Sequence, residues 1–329
     1  MNNLYILLPI LYTISFITTW IIRKIAIKKA ILDIPKDRSS HSIPTPRGGG
    51  LAIVIIFYFA LTILFIQGKI ENTIFFALLS GLPLMIISII DDIVSLSPKI
   101  RFIVQLFSSA MALYFLQGLH VIDIGFIQIS WVWILSSLAL IGMIWFINLY
   151  NFIDGIDGYA SMEAIFVGGA IYLITKNEIA LILVISTLGF LPWNWQKAKI
   201  FMGDVGSTVL GFFIAVLAIY FQNINELSII NWLILTSLFW FDATFTLFRR
   251  WKNKEKLSEA HKKHAYQRIV QAGFSHQKTT LYAFGINIIF LGLVIFNQSF
   301  PRFSVLSLLV CITILLIITK LIDKRKTFI

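Results

Sequence analysis

A polytopic, all-α transmembrane helical bundle of about eleven spans is the fold this sequence predicts. Three observations carry that expectation. The 329 residues are 58% hydrophobic, with a mean hydropathy of +0.86. Only 13% are charged, against about 25% in an ordinary soluble domain. Apolar runs of roughly 20 residues, enough to cross about 30 Å of hydrocarbon, recur from end to end. They do not alternate as barrel strands would.

The first run, 3–22, has no Lys or Arg before it and a basic cluster after it. It therefore reads as a retained helix with its N-terminus outside, not as a cleaved signal peptide. The second run, 49–67, opens on Gly48-Gly49-Gly50. The third, 73–90, stops at Asp91-Asp92, and the fourth, 102–117, starts behind Lys99 and Arg101. The fifth, 131–149, runs into Asn148 and Asn151, and the sixth, 159–175, follows Gly158. The seventh and eighth, 179–195 and 206–221, flank Phe201-Met-Gly-Asp204. The ninth, 229–248, carries Asp242 and ends at Arg249-Arg250. Runs 280–297 and 303–321 complete the pattern. Cys311, alone of its kind and inside the last run, reads as a small buried hydrophobe with no disulfide partner.

The formal charge of +11 points to the positive-inside rule and not to nucleic acid. With the N-terminus periplasmic, segments 23–48, 91–101, 196–205, 249–279 and 320–329 fall in the cytoplasm. They hold 24 of the 27 Lys and Arg, leaving Lys69, Lys176 and Arg302 outside. The same orientation puts Asp91, Asp92, Asp154, Asp157 and Asp204 on the cytoplasmic face. The chain reads as one integral membrane domain, 1–329, with its working loops near 23–48, 91–101, 150–158, 196–205 and 249–279. The outer loops are too short to carry function. Asn297-Gln-Ser299 matches a glycosylation sequon, a pattern too common to weigh.

Charges beside hydrocarbon are costly and mark function by default. Five carboxylates at one face make an oxygen-rich site suited to Mg²⁺ and phosphate chemistry. Asn148 and Asn151, three apart, share a helix face. Asp154 and Asp157 continue that spacing, and Gly155 and Gly158 let the chain turn. Amides with carboxylates suit a hydroxyl-rich, metal-bound nucleotide; the bland alternative is a polar cap. Asp91-Asp92 reads as a base or a cation-holding pair, or else as a charged stop at the membrane edge. Asp204, followed by Ser207 and Thr208 at a helix start, suits a metal bridging to phosphate, or a plain N-cap.

The loop 249–279 carries His261, Lys262, Lys263, His264 and Arg268, a cationic patch for a diphosphate or merely a solvated basic loop. Two histidines without further ligands are weak evidence for zinc. Arg38, His41 and Arg47 in the first loop read as phosphate contacts or else as the basic flank of a helix entry, and Arg101 at the fourth run is a further candidate for phosphate. Asp242 is either functional or paired with Arg249 or Arg250 to set helix packing; Glu163 is similar. No Walker loop and no dinucleotide fingerprint is present.

These motifs resemble the polyprenyl-phosphate N-acetylhexosamine-1-phosphate transferases, glycosyltransferase family 4. The resemblance covers nearly the whole chain. Asp91-Asp92 matches the family's Asp-Asp pair, and Asn151 to Gly158 its Asn-x-x-Asp-Gly-x-Asp-Gly motif. Phe201 to Ser207 matches Phe-Met-Gly-Asp-x-Gly-Ser, whose Asp binds Mg²⁺. The peptidoglycan branch carries three successive histidines, where this chain has His261-Lys-Lys-His264-Ala-Tyr-Gln. The first loop and the Asp242 to Arg250 segment are similar to the O-antigen-initiating branch.

The resemblance implies UDP-N-acetylhexosamine as donor and undecaprenyl phosphate as acceptor, with UMP released at the cytoplasmic face of the bacterial inner membrane. It implies Mg²⁺, with Mn²⁺ as a substitute, on Asp204. Asp91, Asp92, Asp154 and Asp157 become catalytic. Asn148, Asn151, Arg38, His41, Arg47, Arg101, His261, His264 and Arg268 become substrate contacts. A homodimer is known in the family. The rival readings are a lipid-linked sugar transporter or flippase, whose acids should line a path through the bilayer, and an inactive homologue that binds polyprenyl phosphate.

Overall fold

The computed structural model describes residues 3–35, 43–124, 127–257, 259 and 261–328. All eleven apolar segments are helical, and several are longer than expected or broken. They form α1 (Asn3–Lys28), α2 (Gly50–Ile66), α3 (Asn72–Leu79), α4 (Leu82–Ile93), α5 (Pro98–Phe115), α6 (Val132–Phe152), α7 (Tyr159–Thr175), α8 (Glu178–Asn194), α9 (Gly203–Asn223), α10 (Ile229–Leu235), α11 (Ser237–Lys252), α12 (Ala265–Gln271), α13 (His276–Ser299) and α14 (Ser304–Arg325). Two small antiparallel strand pairs, β1 (Leu32–Asp33) with β2 (Thr45–Pro46) and β3 (Ile122–Asp123) with β4 (Gln128–Ile129), and a 3-10 turn at Pro301–Phe303 complete the described chain.

Among the described residues six helical stretches are long and apolar enough to cross a bilayer, α3 and α4 together counting as one, or seven if the bent pair α10–α11 counts as another. The chain is thus an all-helical membrane protein. Helices α2, α7 and α8 are apolar but have 17 residues each. Large apolar side chains face outward along the bundle, Trp133, Ile141 and Tyr114 among them. That is the pattern for lipid contact, where no water rewards a polar surface.

The centre of the bundle is α9. Every residue from Val205 to Gln222 is buried, as befits a helix hydrophobic all round. Helices α2, α4 and α6 pack on it. Phe57 and Phe213 meet with ring centroids 4.2 Å apart, and Tyr150 and Phe239 at 5.3 Å.

Two predicted spans are broken. The segment 73–90 splits at Ser80 and Gly81, with Pro83 in the first turn of α4. The segment 229–248 bends by 79° between α10 and α11. Side chains satisfy carbonyls freed at that bend. Ser237 Oγ donates to Ile234 O at 2.8 Å, and Trp240 Nε1 to Leu233 O at 2.8 Å. Backbone polar groups in hydrocarbon require such partners. Beside the bend lies an apolar cavity of about 280 Å³, lined by Leu135, Met143, Phe146, Ala218, Trp232 and Trp240.

Asn297 of the sequon is buried. It donates to Asn231 Oδ1 and accepts from Ser307 Oγ, both at 2.8 Å, so it ties α13 to α10 and α14. Cys311 is buried, as expected, with Ser237 Oγ 3.4 Å from its sulfur.

Candidate active site

One end of the bundle gathers the C-termini of α4 and α6 with the N-termini of α2, α5 and α9. Backbone bonds stitch two of these starts together. Phe201 N donates to Pro46 O, Gly49 N to Phe201 O and Gly50 N to Met202 O, at 2.8–2.9 Å. The glycine-rich entry to α2 is thereby laid along the entry to α9, and Arg47 lies beside the carboxylates.

Asp92 closes the N-terminus of α9. Its oxygens accept the N–H groups of Asp204 at 3.0 Å and Val205 at 3.3 Å. Those donors have no partner within the helix, and the positive helix end favours an anion. Gly203 makes the approach feasible. Its φ is +75°, and a Cβ there would meet the Asp92 carboxylate at 2.7 and 2.9 Å and Gly48 N at 2.8 Å.

Asp91 accepts Leu96 N at 2.6 Å and Arg101 Nη1 at 3.1 Å. Asp204 accepts Asn151 Nδ2 at 3.0 Å and lies 3.6 Å from Arg101 Nη1. Its side chain also meets that of Asp91. Asn151 donates at 2.8 Å to Ser207 Oγ as well, one turn into α9. Asp204 is 33% exposed and Asp91 6%, so a ligand reaches the cluster at Asp204.

Asp154 is half-buried in the α6–α7 turn and takes the backbone N–H of Gly203. Burial raises its pKa well above the carboxylate range, and the charges of Asp204, Asp92 and Asp157 add to this.

Four carboxylates thus crowd one site, with Arg101 in contact and Arg47 nearby. Arg47 Nε is buried without a partner. Among the described residues no three His, Cys, Asp or Glu side chains form a ready cage for a metal. Mg²⁺ seldom asks for one. It is usually held by one or two carboxylates plus water and substrate phosphate. Accessible Asp204 against Asp91 fits that habit.

Glycosyl transferase family 4 matches this chain over residues 74–222, which include the four carboxylates and Arg101. A probable undecaprenyl-phosphate N-acetylglucosaminyl 1-phosphate transferase of Bacillus subtilis (strain 168) is 32% identical over 295 residues, 85% of this chain and 80% of that protein. An undecaprenyl-phosphate alpha-N-acetylglucosaminyl 1-phosphate transferase of Thermotoga maritima is 28% identical, covering 78% of this chain and 80% of that one. A decaprenyl-phosphate N-acetylglucosaminephosphotransferase of Mycobacterium tuberculosis is 26% identical, covering 87% and 79%.

The chain belongs to glycosyl transferase family 4, the polyprenyl-phosphate N-acetylhexosamine-1-phosphate transferases.

Within this family 4 protein, the structure sorts the remaining sequence-predicted residues. Asn148 does not reach the carboxylates. It pairs with Gln105 of α5, donating at 2.8 Å and accepting at 3.4 Å. Asp157 parts from Asp154, because the chain leaves the helix after Phe152. Its Oδ2 accepts Ala198 N at 3.2 Å and lies 3.3 Å from His276 Nδ1. Sequence reasoning missed His276, which opens α13; no local motif marks it. Arg38 and His41 lie outside the described residues.

The expected cationic patch is largely spent on the protein itself. Arg268, 2% exposed, bonds Asp323, Lys263 O and Lys326 O. Arg250 bonds Glu255 and three loop carbonyls. Burial pushes His264 down to about 4, with help from Arg250 and Arg268, and His261 down to about 3, with help from His264 and Arg250. Both imidazoles are therefore neutral near pH 7. His264 Nδ1 is buried without a partner, 4.0 Å from Asp242 Oδ1.

Asp242 pairs with neither Arg249 nor Arg250. Arg249 binds Asp323 at 3.0 Å instead. Both Asp242 oxygens accept Ala265 N, at 2.8 and 2.9 Å, so a span carboxylate caps α12 and fixes the His264 backbone. Glu163 is buried and accepts both bonds of Asn287 Nδ2 at 3.0 Å, joining α7 to α13 away from the cluster.

Proposed function

We propose that this protein transfers N-acetylhexosamine 1-phosphate from a UDP-sugar to undecaprenyl phosphate, and so starts O-antigen or a related cell-envelope polysaccharide. The observation that carries the reading is the accessible Asp204 at the meeting point of Asp91, Asn151 and Arg101, all at one end of the bundle. A transporter would spread its acids along a path. The relatives' names supply the lipid phosphate and the sugar phosphate.

An oxygen of the lipid phosphate attacks the donor phosphorus that carries the sugar. The bond from that phosphorus to the bridging oxygen breaks, and UMP leaves with the oxygen. At neutral pH a phosphate monoester is mostly a dianion (second pKa about 6), so no strict base is required. Asp91 holds Arg101, and Arg101 and Arg47 steer the two phosphates and offset their charge. Asn151 aims Asp204. Neutral His264 and His261 offer hydrogen bonds to the donor without adding charge. Mg²⁺, or Mn²⁺ in its place, bound by Asp204 with Asp91, would supply Lewis acidity and neutralise developing charge. The 280 Å³ cavity along α6 and the α10–α11 bend would take part of the polyprenyl tail.

Eleven crossings with a periplasmic N-terminus, residence in the bacterial inner membrane with the site facing the cytoplasm, and a homodimer belong to the same reading. The skew of 24 basic residues to one side supports the orientation.

UMP release by the purified protein, with undecaprenyl phosphate, Mg²⁺ and a panel of UDP-sugars, tests it. Release that needs both lipid and Mg²⁺ is the expected result, and the best donor names the sugar. No release from any donor, with a related transferase active in the same detergent, would remove the reading.

A further inference from the structure

Tyr266 was not singled out by the sequence, and the transfer reaction gives it no role. It is 3% exposed, at the start of α12 and beside the carboxylate cluster. Its hydroxyl donates to Phe152 O, the last carbonyl of α6, at 2.8 Å. The Gly155 backbone and the Gln267 side chain lie against that hydroxyl. The contacts at Phe152 and Gly155 bracket the turn that presents Asp154. Its ring stacks with two others. Tyr159, the first residue of α7, lies at 5.1 Å and 25°, and His264 at 5.8 Å and 10°.

Gly155 shows how close the fit is. A Cβ on Gly155 would run into the Tyr266 hydroxyl oxygen, with Cζ at 3.1 Å and Gln267 Nε2 at 3.2 Å. Only a residue without a side chain lets the phenol reach the backbone on both sides of Asp154. A purely structural tyrosine could bury its ring elsewhere and take any free carbonyl. This one takes the carbonyl on one side of Asp154 and lies against the backbone of Gly155 on the other.

We propose that Tyr266 is a positioning residue for the transfer reaction: its hydroxyl holds the 152–155 turn so that Asp154 stays in the carboxylate cluster, and its ring makes the His264 loop and that cluster one mechanical unit. The proposal rests on the transferase reading for its kinetic arm, and on the geometry alone for its exchange arm.

Tyr266→Phe keeps the ring stack and removes the hydroxyl. The expected result is a kcat lower by tenfold or more, with donor KM within about twofold and the melting temperature little changed. Hydrogen exchange in the 152–158 segment should speed up while exchange in α9 and α13 stays as in the wild type. Gly155→Ala reaches the same contact from the other side, so it should lower kcat similarly. The double variant should be no slower than the slower single, since both break one contact.

A Tyr266→Phe protein with kcat and 152–158 exchange within twofold of wild type overturns the proposal. So does a double variant whose loss is the product of the two single losses. If Tyr266→Phe does not fold in detergent, Gly155→Ala alone decides by the same two readouts. If the wild type itself releases no UMP, the transferase reading fails, and the exchange measurement still judges the hold of Tyr266 on the turn.

Discussion

Gly203→Ala is the perturbation with the most direct consequence. Gly203 sits at φ +75°, where an L side chain strains the backbone by about 1–2 kcal/mol. Its new methyl would lie 2.7–2.9 Å from the Asp92 oxygens and 2.8 Å from Gly48 N. Something must move, and Asp92 is the movable partner. Asp92 caps α9 through Asp204 N and Val205 N, and losing such a cap costs about 1 kcal/mol. The expected destabilisation is therefore about 2–3 kcal/mol.

The catalytic cost should be larger than the stability cost. Asp204 is the next residue, and a displacement near 1 Å at a reacting centre costs about 100-fold in rate. Thermal unfolding of the purified variant in detergent, followed by tryptophan fluorescence, reports the first quantity. UMP release per folded molecule reports the second. A variant that melts like the wild type and turns over at its rate would refute the account of Asp92, Gly203 and Asp204 as one assembly.

Three further outcomes are expected. Asp204→Asn should abolish turnover at any Mg²⁺ concentration while the melting temperature holds; wild-type turnover that still needs Mg²⁺ would remove its role as metal ligand. His264, with a native pKa near 4 against about 6.5 unfolded, contributes stability that is complete above pH 6.5 and is lost as pH falls toward 4. The loss is about 3 kcal/mol, read as a melting temperature that drops between pH 6.5 and 4, and His264→Gln should flatten that drop. Asp323→Asn should cost about 3 kcal/mol by leaving the buried Arg268 without its carboxylate; donor KM should rise as well if the loop matters to binding, and an unchanged melting temperature would contradict the clasp.

The helices were legible because their evidence is local. Runs such as 102–117 and 280–297 need only their own hydropathy, and α5 and α13 overlie them. The bend at Thr236 was not legible. Segment 229–248 is largely apolar, and the break depends on Ser237 and Trp240 finding carbonyls three and seven residues back. The acidic motifs were legible because carboxylates are scarce beside hydrocarbon and have to be explained. The spacing of Asn148, Asn151, Asp154 and Asp157 misled for a related reason. Helical spacing puts them on one face, but the helix ends at Phe152, and the turn sends Asp157 to His276, 119 residues on.

By itself, then, the sequence determined a helical membrane protein and the motifs that place it among the transferases. Only the tertiary structure decided which acids meet. Asp92 and Asp204 are 112 residues apart, and they touch because α9 is buried at the centre with α4 packed along it. The same packing gave Arg268 to Asp323, Asp242 to the start of α12, and Tyr266 to the turn under Asp154. A charge or a hydroxyl carries no mark of its partner in a linear chain; the partner is chosen by whichever helix end the fold brings within about 3 Å.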